Sequence, residues 1–166
     1  MNRKLLSAVL LSTSILFSAG CGDDEEETES LDAEGCAHLQ KGPSAPITAT
    51  AAASGAPAVN TDHKRYDISL IDVTGGKGGS VTFAVAEEGD YLFFINEDVP
   101  MSIQTINGVA IQPEELAKSS TECSDIKGRY TVDLGVGTHV LTFGPTAKTS
   151  VSLVAEHGAH EHDHEH

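Results

Sequence analysis

The sequence predicts an all-β protein, a small antiparallel β-sandwich of jelly-roll type, and three observations predict it. Aromatic content is 5%, Trp is absent and glycine reaches 16 of 166 residues, a lean and turn-rich composition that disfavours a helical bundle. From Tyr66 onward apolar residues recur with a period of two, the signature of half-buried strands. Between the apolar rows stand Glu88-Gly89-Asp90, Asn107-Gly108, Gly135-Val136-Gly137 and Gly144-Pro145, residues that supply positive φ or a fixed proline for reversals. The length leaves room for one domain with one core.

Taken in order, residues 43–60 are rich in Ala, Ser, Thr and Pro, and yield one short edge strand near Ile47 to Ala51. Tyr66, Ile68 and Leu70 then alternate with Asp67 and Ser69, and Val81, Phe83 and Val85 with Ser80, Thr82 and Ala84. The intervening Gly75-Gly76-Lys77-Gly78-Gly79-Ser80 lacks the spacing of a phosphate loop and reads as a flexible hairpin loop. Tyr91 to Ile95 is apolar on both faces and is therefore central. Met101, Ile103 and Thr105 form a short row, and Pro113 to Lys118 is the one helix candidate, with proline in a first-turn position. Tyr130, Val132 and Leu134, then His139, Leu141 and Phe143, then Val151 and Leu153 supply the last strands.

The ends of the chain differ from this centre. Residues 1–20 read as a signal peptide: Arg3 and Lys4, then 13 residues from Leu5 to Phe17 dominated by apolar side chains, then Ser18-Ala19-Gly20. Thirteen residues are too few to span a bilayer comfortably. Phe17-Ser18-Ala19-Gly20-Cys21 resembles the lipobox of bacterial lipoproteins, which implies cleavage before Cys21 and lipid attachment to it. Ser18 stands where that family usually has Leu, which leaves ordinary cleavage and release as the alternative. The resemblance implies a lipid-anchored protein of the bacterial cell envelope, on the periplasmic face of the outer membrane or at the cell surface.

Residues 21–35 form an acidic tether. Eight carboxylates lie between residues 23 and 34, with almost no apolar content, so Gly22 to Glu34 is expected to be extended and disordered. Fully extended, it reaches about 45 Å. The formal net charge of −15 excludes nucleic acid as a natural partner.

Three cysteines in an exported chain leave one over. With Cys21 lipidated, Cys36 and Cys123 are free to form a disulfide, as an oxidising compartment favours. The competing use of Cys36, His38 and Cys123 as metal ligands requires thiolates that survive outside the cytoplasm.

Within the sandwich domain, residues 36–155, Glu88-Gly89-Asp90-Tyr91-Leu92, Tyr130-Thr131-Val132 and Gly137-Thr138-His139-Val140-Leu141-Thr142-Phe143 resemble bacterial pre-peptidase C-terminal domains over roughly residues 66–155. That likeness implies a jelly-roll-like sandwich used outside the cell, and carries over no catalytic residues.

Chemistry concentrates in residues 156–166. His157, His160, His162, His164 and His166 are interleaved with Glu161, Asp163 and Glu165. Neutral imidazole binds borderline ions such as Zn²⁺, Cu²⁺ and Ni²⁺, and carboxylates complete a shell. Histidines at i and i+2 of an extended chain lie roughly 7 Å apart on one side, and a flexible tail folds both onto one ion. A polar, solubilising end or a pH-responsive segment is the alternative reading. His139 shares a face with Leu141 and Phe143 and reads as a core or rim histidine, and His63 as a solvated residue before the first main strand. Sequence does not fix whether His38 meets the tail.

No GxSxG or HExxH occurs, and Glu87-Glu88, Glu97-Asp98 and Glu114-Glu115 read as surface charge, so no catalysis is expected. The expected function is exchangeable binding of Zn²⁺, Cu²⁺ or Ni²⁺ by the tail, for buffering or for delivery to a metal transport system. A non-catalytic interaction or structural module with an accessory tail is the alternative.

Overall fold

The computed structural model describes residues 30–158. The leader, Cys21 and the tail residues His160, Glu161, His162, Asp163, His164, Glu165 and His166 lie outside the described residues. Among the described residues one helix, α1 (Leu31–Lys41), precedes twelve strands. These are β1 (Ser44–Thr48), β2 (Ala58–Val59), β3 (Arg65–Ser69), β4 (Ile71–Val73), β5 (Gly76–Val85), β6 (Gly89–Ile95), β7 (Met101–Thr105), β8 (Ala110–Ile111), β9 (Glu115–Ala117), β10 (Gly128–Leu134), β11 (Gly137–Thr146) and β12 (Ser150–His157).

They form the expected sandwich. One sheet runs β1-β3-β12-β6-β10-β9, the other β2-β5-β11-β7-β8, with β4 also on β5. Most pairs are antiparallel, but β1 on β3 and β2 on β5 are parallel, so both sheets are mixed. The alternation explains the core. Tyr66, Ile68, Tyr91, Phe93, Tyr130, Val132, Leu153 and Ala155 of the first sheet meet Val81, Phe83, Val85, Ile103, Leu141 and Phe143 of the second in one buried cluster. Phe83 meets Tyr91 and Phe93 edge-on at 5.2 and 5.0 Å, the arrangement that ring quadrupoles favour.

Strand β6 is apolar on both faces because both are covered. Tyr91, Phe93 and Ile95 point between the sheets, while Leu92 and Phe94 point outward into a second cluster with Val154, Ile126, Cys123 and Leu39, partly buried Leu31 and Cys36 packing against it. Helix α1 is the cover. Ser30 caps it, its hydroxyl accepting from the amide of Ala33 at 3.1 Å, and the amide of Gly42 closes its last turn on the carbonyl of His38. Of the acidic stretch expected to remain extended through Glu34, residues 22–29 lie outside the described residues, and Leu31 to Glu34 are helical instead.

Three other expectations need correction. Pro113 to Lys118 is not helical: Glu115–Ala117 pairs antiparallel with β10, and the amide of Glu114 bonds the carbonyl of Thr131, ladder bonds that six residues of helix could not match. The Gly75 to Ser80 segment is mostly β5, with the tight turn confined to the step from β4, and Gly79 packs so closely that a Cβ would lie 2.8 Å from Ala49. Gly144-Pro145 lies within β11, at an irregularity in its pairing with β5 between Phe143 and Thr146.

Candidate metal centre

Strand alternation at the end of β12 sets up the site. Val154 points outward under α1, so Glu156, two residues on, lies on the same outer face and is 3% exposed. From α1, Glu34 and His38 are one turn apart and share a helix face. The segment leading into β3 supplies His63, held at φ 55°, the left-handed region that a non-glycine residue seldom adopts.

Glu34, His38, His63 and Glu156 thus converge from three segments, and one donor atom from each lies within 4.8 Å of all the others. His38 Nδ1 is 2.6 Å from Glu156 Oε1, and His63 Nδ1 is 3.3 Å from Glu156 Oε2 and 3.8 Å from Glu34 Oε1. The two imidazole centroids are 5.0 Å apart. Burial pushes the Glu156 carboxyl above the ordinary carboxylate range; the hydrogen bond and charge of His38 pull it back, and Glu34 adds to the rise. Exposure rises across the set, with 4% of the side chain exposed at Glu156 against 63% at His63.

Chemically this is two imidazoles and two carboxylates with no thiol. At metal–ligand distances of about 2.0–2.1 Å, tetrahedral donors stand about 3.3 Å apart, and the four donor atoms here, all within 4.8 Å of one another, are near that spacing. The donors suit a borderline dication, Zn²⁺ before others, and provide no soft ligand for Cu⁺.

The structure places the residues singled out in sequence as follows. Cys36 and Cys123 form a disulfide, with Cα atoms 5.8 Å apart, joining α1 to the loop between β9 and β10. His139 is buried, and its Nε2 lies 2.8 Å from the carbonyl oxygen of Gly135, as a core or rim residue. The paired acids include ordinary ion pairs, Glu97 with Lys148 at 2.6 Å and Glu115 with Arg129 at 2.9 Å.

His157 is not brought into the cluster. It follows Glu156 and points to the other side of the strand, where its ring stands edge-on to Tyr91 at 4.8 Å. Sequence reasoning left His38 open, took His63 as solvated, and assigned no role to Glu34 or Glu156. Glu156 carried one signal: a carboxylate where strand alternation continues the Val154 face.

No family model matches the chain, and none of the curated proteins compared with it matches.

Proposed function

We propose that this protein is a lipid-anchored binder of a divalent transition metal ion, Zn²⁺ foremost, in the bacterial cell envelope, holding the ion on Glu34, His38, His63 and Glu156. The observation that carries the reading is a buried carboxylate, Glu156, facing two histidines and a second carboxylate, of which His63 is largely exposed. Buried carboxylates are costly unless something compensates them, and a dication does so better than two imidazoles. The tail then gathers ions: His160 is four residues from Glu156, a reach of at most about 14 Å, so an ion caught on the tail passes to the fixed centre without leaving the molecule. In this reading the protein delivers its ion to a metal transport system, with Cys21 keeping it at the membrane.

The test is calorimetric titration of Zn²⁺, Cu²⁺ and Ni²⁺ into the full chain, into Glu156→Gln, and into a variant with His160, His162, His164 and His166 changed to Ala. The reading expects one tight event lost in Glu156→Gln and weaker events lost in the tail variant. Equal binding by the wild type and Glu156→Gln would overturn the fixed centre. No binding by any form would leave an interaction module as the better account.

A further inference from the structure

The disulfide and the metal centre share one helix. Cys36 lies between Glu34 and His38 on α1, two residues from each, whereas His63 and Glu156 belong to the sandwich side of the site. Any change in how α1 is held therefore moves two of the four donors against the other two.

The noncovalent hold on α1 is thin. Only Gly35 and Leu39 of its 11 residues are buried. Leu39 and the partly buried Leu31 and Cys36 are its apolar contribution to the outer cluster. A helix of this length is marginal alone in water. Besides the contacts of the centre itself, His38 with Glu156 at 2.6 Å and Glu34 with His63 at 3.8 Å, its polar ties are few: Arg65 donates to the carbonyl of Leu39 at 2.9 Å, Gln40 to Asp125 at 2.7 Å, Ser30 to Glu122, and Asp32 lies 3.5 Å from Arg129. The covalent tie crosses 87 residues of chain to Cys123, in the same loop that supplies Asp125 and Glu122.

We infer that the metal centre is redox-gated: it holds its ion while Cys36–Cys123 is oxidised and releases it when that bond is reduced. The inference rests on the metal-binding function proposed above. The reductant is a dithiol. Its thiolate attacks Sγ of Cys36, the more exposed residue of the pair since Cys123 is 3% exposed, forming a mixed disulfide and expelling the Cys123 thiolate. The second thiolate of the reductant then displaces Cys36, so the reductant leaves as a disulfide. Two electrons and two protons convert the protein's disulfide to two thiols. With only the Gln40–Asp125 and Ser30–Glu122 contacts left to the loop, α1 holds Glu34 and His38 less firmly against His63 and Glu156, and the dication is released more readily.

Linkage makes the coupling reciprocal: the factor by which oxidation tightens metal binding is the factor by which metal stabilises the disulfide. Loss of a preorganised half-site is expected to weaken binding about tenfold. For a two-electron couple, that is about 30 mV in the disulfide potential.

The experiment uses the full chain with Cys21→Ser and the four tail histidines beyond His157 changed to Ala. Zn²⁺ affinity is read by chelator competition on the oxidised protein, on the protein reduced with a phosphine, and on Cys36→Ser/Cys123→Ser. The expected result is affinity at least about tenfold weaker in both disulfide-free forms. Equal or tighter binding on reduction, as when Cys36 itself becomes a ligand, overturns the inference. Should Cys36→Ser/Cys123→Ser fail to fold, the position of the disulfide equilibrium in a glutathione redox buffer decides: saturating free Zn²⁺ shifts its potential by about 30 mV toward the oxidised form, and no shift overturns the coupling. Loss of this shift in Glu156→Gln ties it to the centre. If the oxidised protein shows no binding that depends on Glu156, the metal reading itself has failed; if that binding exists but is indifferent to the disulfide, only the gate has.

Discussion

Replacing Glu156 by Gln separates metal binding by the folded centre from metal binding by histidines that need no fold. Glu156 is buried, and its two oxygens face His38 and His63. Glutamine keeps the size and one acceptor for His38 but removes the charge, so the metal-free variant should melt no lower than the wild type, because His38 and His63 only partly offset the cost of burying the carboxylate. With metal the order reverses. A ligand that binds only the folded state stabilises by about 2.7 kcal/mol at a hundredfold excess over Kd. For a domain of this size, about 3–5 °C per kcal/mol gives a rise of roughly 10 °C in Tm. A hundredfold loss of affinity in Glu156→Gln leaves about 0.4 kcal/mol at the same Zn²⁺ concentration, a rise of 1–2 °C by the same scaling, about. Ions held equally in folded and unfolded chains leave Tm unchanged. The assay is a calorimetric melt at fixed Zn²⁺ of wild type and Glu156→Gln, each with and without the tail histidines. A Glu156→Gln shift as large as that of the wild type would refute the reasoning.

Leu39→Ala, at a position 5% exposed in the outer cluster, should cost about 2–4 kcal/mol in urea unfolding and weaken Zn²⁺ binding as α1 loosens. Tyr66 is buried, hydrogen-bonded to Asp62, and pushed up to about 12, chiefly by burial and then by the Asp62 hydrogen bond and charge. A folded value above the unfolded 10 means that this stability is complete below pH 10 and is lost as pH rises toward 12, by about 2–3 kcal/mol. Urea midpoints of wild type and Tyr66→Phe measured across pH 9–12 should show the alkaline loss shrinking in the variant. Cys21→Ser should abolish incorporation of labelled fatty acid in a bacterial host, and persistence of the label would refute the anchor. A chain ending at Gly158 should keep the Zn²⁺-induced rise in Tm, whereas one ending at Ala155 should lose it, as titrated melts of the two would show.

The strands were legible because period-two patterning is a local signal. Tyr66 to Leu70, Val81 to Val85 and Tyr130 to Leu134 each alternate one face into the core, and the structure places those faces there. The misread segments are those where pairing across the fold overrides local preference. Pro113 to Lys118 has helical residues but finds the free edge of β10, and the glycines after Thr74 read as a loop although close approach to neighbouring backbone is their use in β5. Helix α1 was hidden by its own acidity: eight carboxylates between residues 23 and 34 mask a capped start at Ser30, and the double-sided apolar character of β6 was the sign that some element must cover Leu92 and Phe94.

The centre was harder to read for a different reason. His38 and Glu156 are 118 residues apart, and nothing local to either says that they meet. Density of histidine drew attention to the tail, but density measures only how many donors are near in sequence. A fixed site needs donors whose positions the fold holds, and here the fold takes them from a helix, a loop and a strand end. The boundary between the two proposed kinds of binding falls between Glu156 and His157. Alternation turns the first toward α1 and the second toward Tyr91, so adjacent residues that sequence assigns to one tail enter different environments. If both elements bind metal, Glu156 is therefore the point where ion capture becomes coupled to folding: donors that need no fold add capacity, while the donors around Glu156 make occupancy alter stability.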